Sequence, residues 1–179
     1  MELHNEPYTV FDRIKPWISS AILLPIILYY TFNHGKFTFI DYINLLIHEG
    51  GHGIFKIFGK FIYTLGGTLA QIIIPGMFIV YYARVKKKVM TQIFLVWLGE
   101  NLINISVYAA DARAHKLPLL GGNRVYHDWT YLLNQTNLIL HDQEVGLFFY
   151  LLGISVFVVS LLMPLFMKEY GQAKINLPL

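Results

Sequence analysis

The sequence predicts an all-α fold: a polytopic membrane helix bundle with about five transmembrane helices, forming a single transmembrane domain over residues 1–179. Three observations carry this expectation. Of the 179 residues, 55% are hydrophobic and only 14% charged, where soluble domains carry about 25% charged residues. The apolar residues fall in long blocks divided by short charged clusters, which is the membrane pattern. Two of those blocks, between Lys60 and Arg84 and between Glu144 and Lys168, contain no charged residue at all.

Taken in order, the first roughly 15 residues are polar and of mixed charge, with Pro7, Asp12 and Arg13, and lack the layout of a cleavable signal peptide. The first expected span runs from Trp17 to Phe32, with Pro25 as its kink. The short connection Asn33-His34-Gly35-Lys36 leads to a second span, Phe39 to Phe58. The third lies between Lys60 and Arg84, the fourth runs from Val89 to Ala110, and the last lies between Glu144 and Lys168. Each approaches the ~20 residues that cross ~30 Å of hydrocarbon, and in lipid such blocks must be helical to satisfy their own backbone. The segment 112–144 is too polar to span. It is expected to be a surface loop with a short interfacial or re-entrant helix near Trp129 to Leu140.

The net charge of +3 and the pI near 9.0 reflect basic residues at the ends of apolar blocks, above all Arg84-Val85-Lys86-Lys87-Lys88. That distribution points to lipid headgroups and topology rather than nucleic acid. It places the 84–88 loop in the cytoplasm, and with an odd number of spans it places the N-terminus on the opposite side. The chain has no Cys, which excludes disulfides, Cys-based zinc sites and Cys nucleophiles.

The second span carries Asp41, Asn44, His48, Glu49 and His52, and the fourth carries Glu100, Asn101, Asn104 and, at its end, Asp111. Such side chains are costly in lipid, so the two polar stripes should face one another or a wet cavity. Within the second, His48-Glu49-Gly50-Gly51-His52 is an HExxH sequence. Its two imidazoles lie four positions apart, one turn along one helix face, and can reach a single zinc ion. Glu49 can take a proton from water at that ion. A pair of packing histidines is the competing reading, but no Lys or Arg sits deep enough to pair with the buried carboxylates, and a divalent cation would supply that charge.

A third ligand is expected from Asp111, with His127 and Asp128 as alternates and Glu100 and His141 behind them. Asn101 and Asn104 are candidates to bind substrate or an oxyanion, or to serve as interhelical glue. Gly50, Gly51 and Gly53 suggest close approach of another backbone, either a substrate or a packed helix.

HExxH on a membrane span, followed by a Gly-rich span and then a span ending in Asp, resembles the site-2 protease family of intramembrane zinc metalloproteases in its small bacterial-type form. The resemblance covers roughly Tyr42 to Ala112. It implies His48, His52 and Asp111 as zinc ligands and Glu49 as the base. The stretch Asn104 to Asp111 stands where the family's later motif would fall, one residue shorter and without its Pro, and Ala112 stands in place of the following Gly.

The expected function is therefore an intramembrane zinc metalloendopeptidase of the bacterial inner membrane. Its partners would be membrane lipids and a membrane-protein or peptide substrate, with no nucleic acid. A non-catalytic zinc-binding sensor or scaffold and a small metal or ion transporter are the alternatives. The shortness of the chain and the lack of an inverted repeat count against transport.

Overall fold

The computed structural model describes residues 9–118 and 126–167. Most of the polar N-terminal stretch and part of the expected 112–144 loop, with Gly121 and Gly122, lie outside the described residues.

Every regular element among the described residues is helical. Helix α1 (Val10–Ile14) opens on a capping box, in which Thr9 and Asp12 satisfy each other's backbone donors. A 3-10 turn holding Pro16 joins it to α2 (Ile18–Phe32). There follow α3 (Phe39–Phe55), α4 (Lys60–Arg84), α5 (Lys88–Ala110), the short α6 (Asp128–Gln135) and α7 (Asp142–Phe166). Between α3 and α4 the chain turns at Gly59, whose φ of 85° is accessible without strain only to glycine.

Four segments are long and apolar enough to cross a membrane: Val10–Phe32, Lys60–Arg84, Lys88–Ala110 and Ile139–Phe166. The second span expected from the sequence is not among them. It folds as the 17-residue α3, about 25 Å long at 1.5 Å per residue, and its polar stripe lowers its hydropathy. The short helix expected near Trp129 forms as α6, ending at Gln135.

This changes the expected topology. Lys88 Nζ donates to Pro16 O at 2.8 Å, so the start of α2 and the start of α5 lie at the same end of the bundle. The N-terminal segment thus stands beside the basic 84–88 loop rather than opposite it. Helices α2 and α5 run parallel, with Ser20 meeting Gln92. Helix α7 runs against α2: Tyr150 Oη donates to Thr31 O near the end of α2, while Ser20 Oγ donates to Leu161 O near its start. The end of α2 therefore meets α7 two turns after α7 begins. From there α3 runs beside the first half of α4, toward the end of the bundle where α4 and α7 begin.

Helix α5 is the centre of the fold, with more than half of its span buried against at most 39% for the others. Small residues let its neighbours come close. A Cβ on Gly99 would sit 2.5 Å from the Phe157 ring, and one on Gly146 2.8 Å from the Ala110 Cβ. The outer faces of α2, α4 and α7 carry exposed Ile22, Leu24, Met77, Val80, Leu151 and Leu165, as a lipid-facing surface would.

Candidate metal centre

The centre is built where α3, α4 and α6 meet. The spacing of His48 and His52 on α3 sets their rings at a centroid distance of 4.8 Å, edge to face. Room for His48 exists because α4 presents Gly67 there: a Cβ on that residue would lie 2.5 Å from the imidazole. One turn on, a Cβ at Gly51 would sit 2.3 Å from Gly66 O. The close approach expected of the motif glycines is thus α3 packing on α4 at Gly51, while Gly50 and Gly53 face open space.

Each imidazole is oriented by a partner on α4. His48 Nδ1 lies 2.9 Å from Gln71 Oε1, and His52 Nδ1 lies 2.8 Å from the backbone oxygen of Tyr63. Both partner atoms are acceptors, so the Nδ1 atoms carry the hydrogens and the Nε2 atoms turn their lone pairs outward. The two Nε2 atoms converge on one oxygen, Asp128 Oδ2, at 2.9 and 3.2 Å. The three side chains are only 7, 12 and 13% exposed. Burial would raise the Asp128 carboxyl, but its contacts with His48 and His52 outweigh that and hold it below the usual carboxylate range.

Two lone pairs and a carboxylate oxygen cannot face one another at hydrogen-bond distance without a positive charge among them. A proton shared with the carboxylate supplies it in part. A divalent ion supplies it fully: ligands 2.0–2.1 Å from a tetrahedral zinc are ~3.3 Å apart, close to the separations present. His48, His52 and Asp128 form a group able to hold a metal ion, their ligand atoms all within 4.8 Å of one another. Two imidazoles and one carboxylate leave a coordination position open.

No family model, curated protein or solved structure matches the chain.

The carboxylate brought to the His pair is Asp128, the alternate, rather than Asp111. Asp111 caps the end of α5, where its two oxygens accept the backbone N–H groups of Lys116 and Leu117 at 2.9 and 3.0 Å. Folding the loop back on itself in this way occupies Asp111 and keeps it out of the group. The other alternate, His127, is the N-cap of α6, its Nδ1 accepting from Thr130 N at 3.3 Å. Its buried ring packs against Tyr108 and His115, with Nε2 aimed at Asp111 Oδ2 from 3.6 Å. Burial and the neighbouring His115 charge push the His127 imidazole below its ordinary value. His127 and Asp111 thus stand behind Asp128 rather than beside it. Asp128's own N–H meets Tyr108 Oη at 3.2 Å.

The remaining candidates separate clearly. Glu49 is exposed and lines, with His48, His52 and Asp128, a cavity of about 770 Å³. Asn101 is fully buried and gives its amide hydrogen to Trp97 O; it lies behind the cavity wall and meets no substrate there. Asn104 does line the cavity, with one hydrogen of its Nδ2 given to Asp41 Oδ1. Glu100 accepts from Asn44 Nδ2 across the α3–α5 contact. His141 sits at the surface beside Glu144.

Two residues that orient the His pair, Gln71 and Tyr63, are not among those expected from the sequence. The backbone oxygen of Tyr63 leaves no trace in a sequence. Gln71 could have been found, because a lone amide among Ala70, Ile72 and Ile73 needs a buried partner.

Proposed function

We propose that this protein is a membrane-embedded metal-dependent hydrolase, a zinc endopeptidase of the site-2 protease type, with His48, His52 and Asp128 as ligands and Glu49 as base. The observation that carries the reading is the convergence of three acceptor atoms, the two imidazole nitrogens among them already oriented from behind, beside an uncommitted carboxylate in an open cavity. A zinc ion bound there would polarise a carbonyl and acidify water. Glu49 would then take the proton of the attacking water and return it to the departing amine. Tyr108, whose hydroxyl lies at Asp128, closes the wall behind the reacting atoms. The cavity's aromatic and aliphatic lining, including Tyr42, Leu45, Tyr63 and Val107, suits an unwound apolar peptide segment.

The test pairs metal analysis with a conservative variant. Purified protein should hold one zinc per chain, and Glu49→Gln should keep that zinc while losing at least about 100-fold in cleavage of a membrane-embedded peptide, as removal of a general base does. Zinc bound with no Glu49-dependent cleavage would instead establish a non-catalytic zinc protein.

A further inference from the structure

Behind His48 stands a set of amides whose orientations are all determined. Two groups beside them only accept. Trp97 O receives Asn101 Nδ2 at 2.9 Å, which turns Asn101 Oδ1 toward α4. Asp41 accepts the Thr38 N–H and hydroxyl on Oδ2, each at 2.6 Å, and Asn104 Nδ2 on Oδ1 at 2.8 Å. That turns Asn104 Oδ1 toward α4 as well. Asn101 and Asn104 are three residues apart on α5 and so share a face.

Both oxygens meet the same nitrogen, Gln71 Nε2, at 3.2 Å each. An amide nitrogen has two hydrogens, and here each has its acceptor. Gln71 cannot turn over without placing its oxygen against two others. Its Oε1 is therefore committed to His48 Nδ1, 2.9 Å away.

Resting on the metal reading above, we propose that Asp41, Asn104, Asn101 and Gln71 form a hydrogen-bond relay that fixes His48 with its proton on Nδ1 and Nε2 free for the metal. Gln71 and Asn104 are positioning residues of the metal centre. The relay explains why a glutamine occurs in α4 between Lys60 and Arg84, where the helix carries no charge, and it ties Asn104, on the cavity wall, to Gln71 and Asp41. A reversed chain would leave His48 with a hydrogen on Nε2 and deprive the metal of one ligand.

Zinc affinity, read by competition with a chromophoric chelator, tests this. Gln71→Leu should weaken zinc binding about 10- to 100-fold, as loss of an outer-shell partner does. Gln71→Glu still offers an acceptor to the His48 Nδ1–H but sets its second oxygen against Asn101 Oδ1 and Asn104 Oδ1, so it should weaken zinc binding, though less than Gln71→Leu. Asn104→Leu, which touches no ligand and leaves the Asn101 link, should also weaken it less than Gln71→Leu. Nitrogen-15 NMR of the zinc-loaded, histidine-labelled parent gives a readout that mere packing would not move: Nε2 of His48 on the metal and a hydrogen on Nδ1. Coordination through Nδ1, or parental zinc affinity in Gln71→Leu, overturns the relay and leaves the metal centre standing. A parent that takes up no zinc overturns the metal reading itself.

Discussion

Two buried polar clusters in this bundle differ in one respect, and that respect separates glue from a ligand site. Gln92, fully buried in α5, ties together α2, α5 and α7. Its Nε2 donates to Ser20 Oγ and Ser160 O, its Oε1 accepts from Ser19 Oγ, and its backbone oxygen accepts from Ser160 Oγ. Every donor there meets an acceptor. At the His48, His52 and Asp128 corner the counting fails for neutral imidazoles: three acceptors converge on a space with no donor of their own. Buried polarity by itself therefore says little about function; what matters is which atoms remain unmatched after the network is complete.

Disrupting each cluster should produce opposite patterns, and the largest effect belongs to the metal corner. Asp128→Ala should abolish stoichiometric zinc, whereas Asp111→Ala should retain it while loosening the 111–117 turn. Metal analysis of the two variants beside the parent decides this. Zinc kept by Asp128→Ala and lost by Asp111→Ala would restore the ligand set that the family resemblance implies. At Gln92 the expectation reverses. Gln92→Leu strands buried Ser20 and Ser160 groups and should cost on the order of 2 kcal/mol of stability, with zinc affinity unchanged. Thermal melts in detergent, scored with and without zinc, separate the two outcomes.

The contrast also shows what a linear reading can reach. The helical bundle and the one-turn spacing of His48 and His52 are local properties, set by hydropathy and by the helix period, and both are visible in the chain. The number of spans is less local. Helix α3 looks like a span by its Phe, Ile and Leu content, yet the polar groups that give it chemistry also shorten its apolar run, and it buries only its stripe of Asp41, Asn44, His48 and Gly51, leaving Tyr42, Leu46 and Ile54 exposed. The third carboxylate is a long-range fact. Asp111 and Asp128 both follow α5, and which one reaches the histidines depends on how the intervening loop folds. The backbone donors of Lys116 and Leu117 capture Asp111. Asp128, at the first position of α6, is left free to face the site.

The smallest expected effect tests the support behind Asp128. His127 caps α6 through an unprotonated Nδ1 and is buried, with its imidazole pushed below its ordinary value of 6.5. A base whose folded value is depressed is neutral in the fold, while the unfolded chain takes up a proton as pH drops below about 6.5. Its contribution to stability is therefore fully present above that pH and declines as pH falls from there through the folded value. Zinc-free protein should melt at a lower temperature at pH 5.5 than at pH 7.5. His127→Asn keeps a side-chain acceptor at the cap but has no imidazole to charge, so it should show a shallower decline. Equal declines in parent and variant would mean that the acid sensitivity lies elsewhere, and that His127 acts on Asp128 through packing alone.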